Sequence, residues 1–192
     1  MISENAFETA AAALGCEVAV IKAVARVESA GAGFDNNGKL KILFEPHIFW
    51  QQLLAKNINP QRYATVYKDV LYPQYRTDHG AYDVQWNKLN RARQIHEEAA
   101  LKSASYGMFQ IMGFNHAAAG YDTVADMVVS FNAGEQAQLE GFVRFICHQQ
   151  LQVALQQKDF AAFAQKYNGA AYALNAYDKK MATYYLQFKH ND

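Results

Sequence analysis

The sequence predicts a mainly α domain (α+β class) with a small β-hairpin or ribbon, and three observations carry that prediction. Apolar residues recur at three- and four-residue spacing through most of the chain, the mark of helices that bury one stripe. Only one stretch, LKILFE from Leu40 to Glu45, is short, apolar and bounded by turns in the manner of a strand. With 192 residues, 51% of them hydrophobic, the chain can bury a core without disulfide staples. No internal repeat, low-complexity linker or break in composition divides it, so residues 1–192 are expected to form a single domain.

The elements follow in order. Ser3 is positioned to cap an alanine-rich helix that runs to Leu14 and closes at Gly15. A second helix spans Glu17 to about Ser29, with Val20, Ile21, Val24 and Val27 on one face. The turn-rich loop FDNNGK (Phe34–Lys39) then leads into the strand, and Asn36-Asn37-Gly38 suggests a hairpin or ribbon there. Pro46 opens a helix through HIFWQQLLAK, since proline suits a first helical turn. From Asn57 to Trp86 the pattern is irregular and rich in tyrosine, a loop that either drapes over the core or offers rings for stacking. Helices are expected again over Val84 to about Ser103, Thr123–Phe131, Glu135 to about Leu155, Phe160–Tyr167 and Asn175 to about Phe188. Between them, SYGMFQIM (Ser105–Met112) is a compact apolar segment with a glycine turn.

Composition removes several function classes. Lys plus Arg equals Asp plus Glu at 18 each, so no global field draws the protein to nucleic acid or to an anionic membrane. No apolar run reaches membrane-spanning length, and MISENAFETAAAALG lacks the basic and apolar regions of a secretory signal. Cys16 and Cys147 sit in apolar helical patterns and read as two buried free thiols, with a single disulfide as the alternative. The six histidines are scattered without an HExxH pair, and neither a G-x-S-x-G elbow nor a phosphate loop occurs. No metal or organic cofactor is expected.

Glu28 is the residue that stands out. It continues the apolar stripe of the second helix and sits where that helix runs out into Ser29, Gly31 and Gly33. Partial desolvation and the negative end of the helix dipole both penalise its ionised form, which suits a general acid. The same residue also reads as a helix-terminal glutamate that bends back into water. Three further segments place polar groups at abrupt turns: Glu45-Pro46-His47, Ser105-Tyr106-Gly107 with Gln110, and Tyr167-Asn168-Gly169.

Taken in this order, ESAGAGF, ILFEPHIFW, SASYGMFQIMGFN and FAQKYNGAAYALNAYDKK resemble the N-acetylmuramidase family common in phage endolysins, over roughly Val20 to Tyr184. The motif order is also similar to the wider lysozyme-like and lytic transglycosylase superfamily. The resemblance implies a lysozyme-like helical fold with a β element beside the cleft, and cleavage of peptidoglycan glycan strands at the β-1,4 bond between N-acetylmuramic acid and N-acetylglucosamine. It implies Glu28 as the acid. For a second carboxylate, Glu45 at the end of the strand comes first and Asp35 second, with a structural role for Glu45 or a mechanism lacking a second carboxylate left open.

Ser105, Tyr106, Gln110, Tyr167 and Asn168 are the implied substrate-binding residues. Tyr106, where the family more often has tryptophan, would stack on a sugar. Ala170 stands where the family often has proline, which loosens the turn after Gly169. No separate wall-binding domain is expected within residues 1–192, although relatives often carry one, and the chain is expected to be a monomer; the lack of a secretory signal suits a product made in the host cytoplasm and released to the cell wall by a holin. Lytic transglycosylation and a non-catalytic glycan-binding module are the competing readings.

Overall fold

The structure is a computed structural model and describes residues 2–29, 32–78, 80–81, 84–169, 173 and 175–190. Helices dominate, as the periodicity predicts. Ser3 Oγ accepts the Ala6 N–H at 3.3 Å and starts α1 (Glu4–Leu14). Helix α2 (Val18–Glu28) buries Val20, Ile21 and Val24 completely, while Val27 and Glu28 at its end are half-buried. The apolar stripe therefore emerges from the core at its last turn, and Glu28 is the residue it delivers there.

The strand prediction holds for Ile42–Phe44 (β1), but its partner lies outside the local ribbon expected. Around Asn36-Asn37-Gly38 the chain does form a narrow antiparallel ribbon: Phe34 bridges Leu40, and the Asp35 and Lys41 N–H groups donate to Lys39 O and Gly33 O at 2.8 and 3.0 Å. The hydrogen-bonded partner of β1 is β2 (Ala104–Tyr106), which in turn pairs with β3 (Ile111–Met112) in an antiparallel sheet of order β1-β2-β3. Leu43 lies opposite Ser105, and Ser105 opposite Met112. The compact apolar segment SYGMFQIM is thus a hairpin, with its glycine in the turn. Local pattern alone could not find strands of two and three residues, because β2 is completed by β1, some sixty positions earlier, and β3 pairs only with β2.

Helix α3 (Pro46–Ala55) follows β1 with Pro46 in its first turn. In the tyrosine-rich segment the described residues include the short helix α4 (Gln61–Ala64) and several turns. The single helix expected over Val84–Ser103 is two, α5 (Gln85–Arg93) and α6 (Glu97–Lys102). The break falls at His96, whose Nδ1 accepts the Ala99 N–H at 3.2 Å and caps α6. A side chain that caps a new helix competes with continuing the old one. Gln85 is fully buried: its Oε1 accepts the Phe44 N–H at 3.1 Å and its Nε2 donates to Ala81 O at 3.2 Å. Trp86 Nε1 donates to Leu40 O at 2.8 Å, so the start of α5 covers the outer edge of β1.

Helix α7 (Val124–Ala133) is capped by Thr123. The long helix expected from Glu135 is also split, into α8 (Glu135–His148) and α9 (Gln152–Gln156), with Gln150 in the left-handed region between them. Helices α10 (Phe160–Asn168) and α11 (Tyr177–Lys189) complete the chain, α11 packing along α2 and α1 against both α2 and α8. Cys16 and Cys147 are free thiols and half-buried, short of the full burial expected. Burial, with the nearby Glu17 carboxylate adding to it, pushes Cys16 up to about 11. Among the described residues no helix is long and apolar enough to cross a membrane.

Candidate active site

Glu28 lines a cavity of about 510 Å³ together with Phe109, Gln110, Ile111, Met112, Asn115, Phe145, Tyr167 and Tyr177. Three separate segments build it: the end of α2, the β2–β3 hairpin with the 3-10 turn Gly113–Asn115 that follows, and the helices α8, α10 and α11. Volume of this size takes a small oligosaccharide unit, and an apolar-walled cleft with a few convergent polar groups is how such ligands are held.

Tyr167 is set by rings on three sides. Phe163 stacks on it at 5.6 Å between centroids, Phe142 meets it edge-on at 5.5 Å and Phe145 edge-on at 6.1 Å. Its hydroxyl donates to Phe109 O at 3.3 Å, and Phe109 itself stacks on Phe142 at 4.0 Å. Burial, and secondarily the negative charge of Glu28, drives the Tyr167 phenol far above its ordinary range. The phenol therefore stays protonated, and the carboxylate is near enough for its field to be felt.

The hairpin is built around Gly107 and Gln110, both at positive φ (+73° and +49°). Gln110 Oε1 accepts the Ser105 hydroxyl at 2.7 Å and its Nε2 donates to Gly107 O at 2.7 Å. Half of the amide's capacity is thus spent holding the turn, which leaves one N–H and one lone pair for a ligand. Ser105 is almost fully buried and supports Gln110 from behind; it does not line the cavity, contrary to its expected contact with substrate. Tyr106 corrects the sequence reading more sharply. It is fully buried, its hydroxyl donates to Leu101 O at 2.8 Å, and it is a core residue that no sugar reaches. In a strand neighbouring side chains point to opposite faces, and the pairing with β1 turns this ring inward.

The two other carboxylates lie elsewhere. Asp35 Oδ1 accepts the N–H groups of Asn37 and Lys39, both at 2.9 Å, and staples the loop. Glu45 precedes α3, with Oε2 3.4 Å from His47 Nδ1. Neither lines the cavity, and Glu28 is the one carboxylate that does among the described residues. Asn168 ends α10, but its side chain, like Ala170, lies outside what the structure describes. Among the described residues no group of three or more His, Cys, Asp or Glu has the proximity to hold a metal ion.

Asn115, Phe145 and Tyr177 line the cavity without having been singled out by sequence. So does the support beneath it. Gln138 is fully buried; its Oε1 accepts the Met108 N–H at 2.8 Å and its Nε2 donates to Phe131 O at 2.9 Å. It occupies the space a Cβ would need at both Gly33 and Gly107. One turn earlier on α8, Glu135 accepts the Gly33 N–H at 2.9 Å; burial pushes its carboxyl up, but this bond together with nearby positive charge, Lys41 included, holds it below its usual range. The start of α8 therefore fixes both the loop after Glu28 and the hairpin that carries Gln110. The signal was legible: Gln138 falls on the apolar stripe with Phe142 and Ile146, where a polar residue needs a reason.

Residues 17–189 match the sequence profile of the family described as Muramidase, N-acetylmuramidase. The chain belongs to the N-acetylmuramidase family. Its fold agrees: the crystal structure of the Burkholderia AP3 phage endolysin superposes with a TM-score of 0.92 at 35% identity, covering 98% of this chain and 72% of that one. No curated protein matches the chain at a significant level. The muramidase is thus a glycoside hydrolase acting on peptidoglycan, and its lysozyme-like architecture is the one the motifs implied.

Proposed function

We propose that Glu28 is the general acid of this muramidase, protonating the glycosidic oxygen between N-acetylmuramic acid and N-acetylglucosamine. The observation that carries the reading is its place as the sole carboxylate, among the described residues, that lines a cleft of about 510 Å³ also lined by Gln110 and Asn115. Proton donation to a leaving oxygen needs a carboxyl group held at a wall, and α2 supplies that seat. The amides match the donor and acceptor pattern of N-acetyl groups and of an attacking water. Tyr167 and Tyr177 offer ring faces to the sugars. Glu45 and Asp35 are scaffold in this reading, and water enters without a second carboxylate.

Glu28→Gln tests this directly. Activity on purified sacculi falls by roughly 10²- to 10⁴-fold, the usual worth of a general acid, with unchanged thermal melting, whereas Glu45→Gln and Asp35→Asn retain more than a tenth of wild-type turnover. Full activity in Glu28→Gln removes the assignment. Mass spectrometry of the released muropeptides reads the outcome: reducing ends mean attack by water. Anhydro ends mean attack by the muramoyl 6-hydroxyl, the chemistry open to a cleft with one carboxylate. Binding to sacculi without any release would instead make the chain a glycan-binding module.

A further inference from the structure

Beyond Tyr167 the cleft does not end. A second cavity of about 400 Å³ is lined by Phe145, Gln149, Leu151, Lys166 and Tyr167. Phe145 and Tyr167 line both cavities, so this edge-on pair of rings is a ridge between two compartments of one trough. The compartments differ in charge. Glu28 is the carboxylate of the first, and Lys166 is the cation of the second; no other Lys or Arg lines either among the described residues. Leu151 is buried and forms an apolar wall, while Gln149 ends α8 with an exposed amide. Lys166 is exposed in the last turn of α10 and has no ion-pair partner among the described residues.

A lysine in the last turn of a helix complements its dipole, and that is the bland reason for its presence. It does not explain a cation beside a cavity that continues the cleft. The substrate of a muramidase has neutral sugar rings; its anionic groups hang from the lactyl arm on every second sugar. We infer that Lys166 and Gln149 form a subsite for a carboxylate carried on the lactyl arm of a muramoyl unit, either the lactyl acid itself or an acid of the peptide stem attached to it. This rests on Glu28 marking the cleaved bond, since the ridge then separates the reacting sugars from the arm's anchor. A lysine offers a point charge with several donors and tolerates variable geometry, which suits a flexible arm better than a rigid fork would. Because Lys166 is solvated, its contribution is modest and screened by salt.

The test uses the full chain and three substrates: stem-bearing sacculi, sacculi stripped of stems by an amidase so that the lactyl acid is free, and stripped glycan with that acid capped as an amide. For Lys166→Glu, kcat/KM on stem-bearing sacculi falls by roughly five-fold through KM, as expected for reversing one screened contact. The loss fades at high salt, and Lys166→Arg restores most of it. On the capped glycan the change stays below about two-fold. In stem-bearing glycan the lactyl carboxyl is tied up in the amide to the stem, so a loss confined to stem-bearing sacculi assigns the ligand to an acid of the stem; a loss that is also present on the stripped glycan and vanishes on the capped one shows that the freed lactyl acid occupies the same subsite. Equal loss on all three, or none on any, overturns the subsite. Glu28→Gln separates the two readings, since it abolishes cleavage of all three substrates whether or not Lys166 discriminates among them.

Discussion

Gly33 has no side chain because Gln138 stands where one would go. The pair couples the loop after Glu28 to the body of α8, and a double-mutant cycle measures that coupling. Gly33→Ala alone forces the buried amide aside and costs about 1–3 kcal/mol. Gln138→Ala alone leaves the Met108 N–H without its partner, at about 1–3 kcal/mol. In the Gln138→Ala background the methyl group finds room, so the second substitution adds less than about 0.5 kcal/mol, a clear departure from additivity. Chemical denaturation reads all four corners; additive costs would mean that the two residues do not meet. Glu28 and Gln138 were both legible as polar residues on apolar stripes. Tyr106 and Ser105 were not, because the face each presents depends on the β1 pairing and not on neighbours in sequence.

At the scale of elements, the helices were legible wherever the stripe was long and the caps ordinary, as with Ser3 and Thr123. The breaks inside Val84–Ser103 and Glu135–Leu155 were not, since three-residue interruptions leave the period nearly in phase. At the first break Arg93 on α5 pairs with Glu97 on α6 across it at 2.6 Å, and the next carboxylate ties α6 to α3. Glu98 on α6 accepts from Lys102 at 2.7 Å and from Lys56, at the end of α3, at 2.6 Å. Those hydrogen bonds, that from Lys102 foremost, lower its carboxyl from 4.5 to about 2. A depressed folded-state value stabilises above the unfolded value and is lost as pH falls toward the folded one, so the window is about pH 4.5 to 2. Because the side chain is 44% exposed, screening limits the clamp to roughly 0.5–1 kcal/mol. Glu98→Gln therefore melts about 1–4 °C below wild type at pH 7, and the two curves converge as the pH approaches 2. A gap that stays constant across that range would deny the ion pairs their role.

Over the whole molecule, the helix that carries Glu28 is buried by elements from both ends of the chain. Helix α1 packs on one side of α2 and α11 along another, and Glu17 before α2 is tied to Tyr185 on α11 at 2.8 Å and to Lys158. The end of α2, in contrast, is fixed by its own neighbours: Gly33 by Glu135, and the facing wall by the rings around Tyr167. Arg26, in the last turn of α2, lies 5.6 Å from the centroid of the Tyr184 ring on α11, but the loop after Glu28 is held by α8, so global stability and the position of the acid are expected to come apart on mutation. Met181 is fully buried on α11. Met181→Ala costs about 2–5 kcal/mol, which lowers Tm by roughly 5–15 °C for a chain of this length. At temperatures where circular dichroism still reports a native fold, kcat on sacculi stays within about two-fold of wild type, since a cavity on α11 leaves the α8 contacts of the Glu28 loop in place. If kcat collapses while the fold persists, the seat of Glu28 depends on the packing of α11 against α2, and the local contacts alone do not hold it.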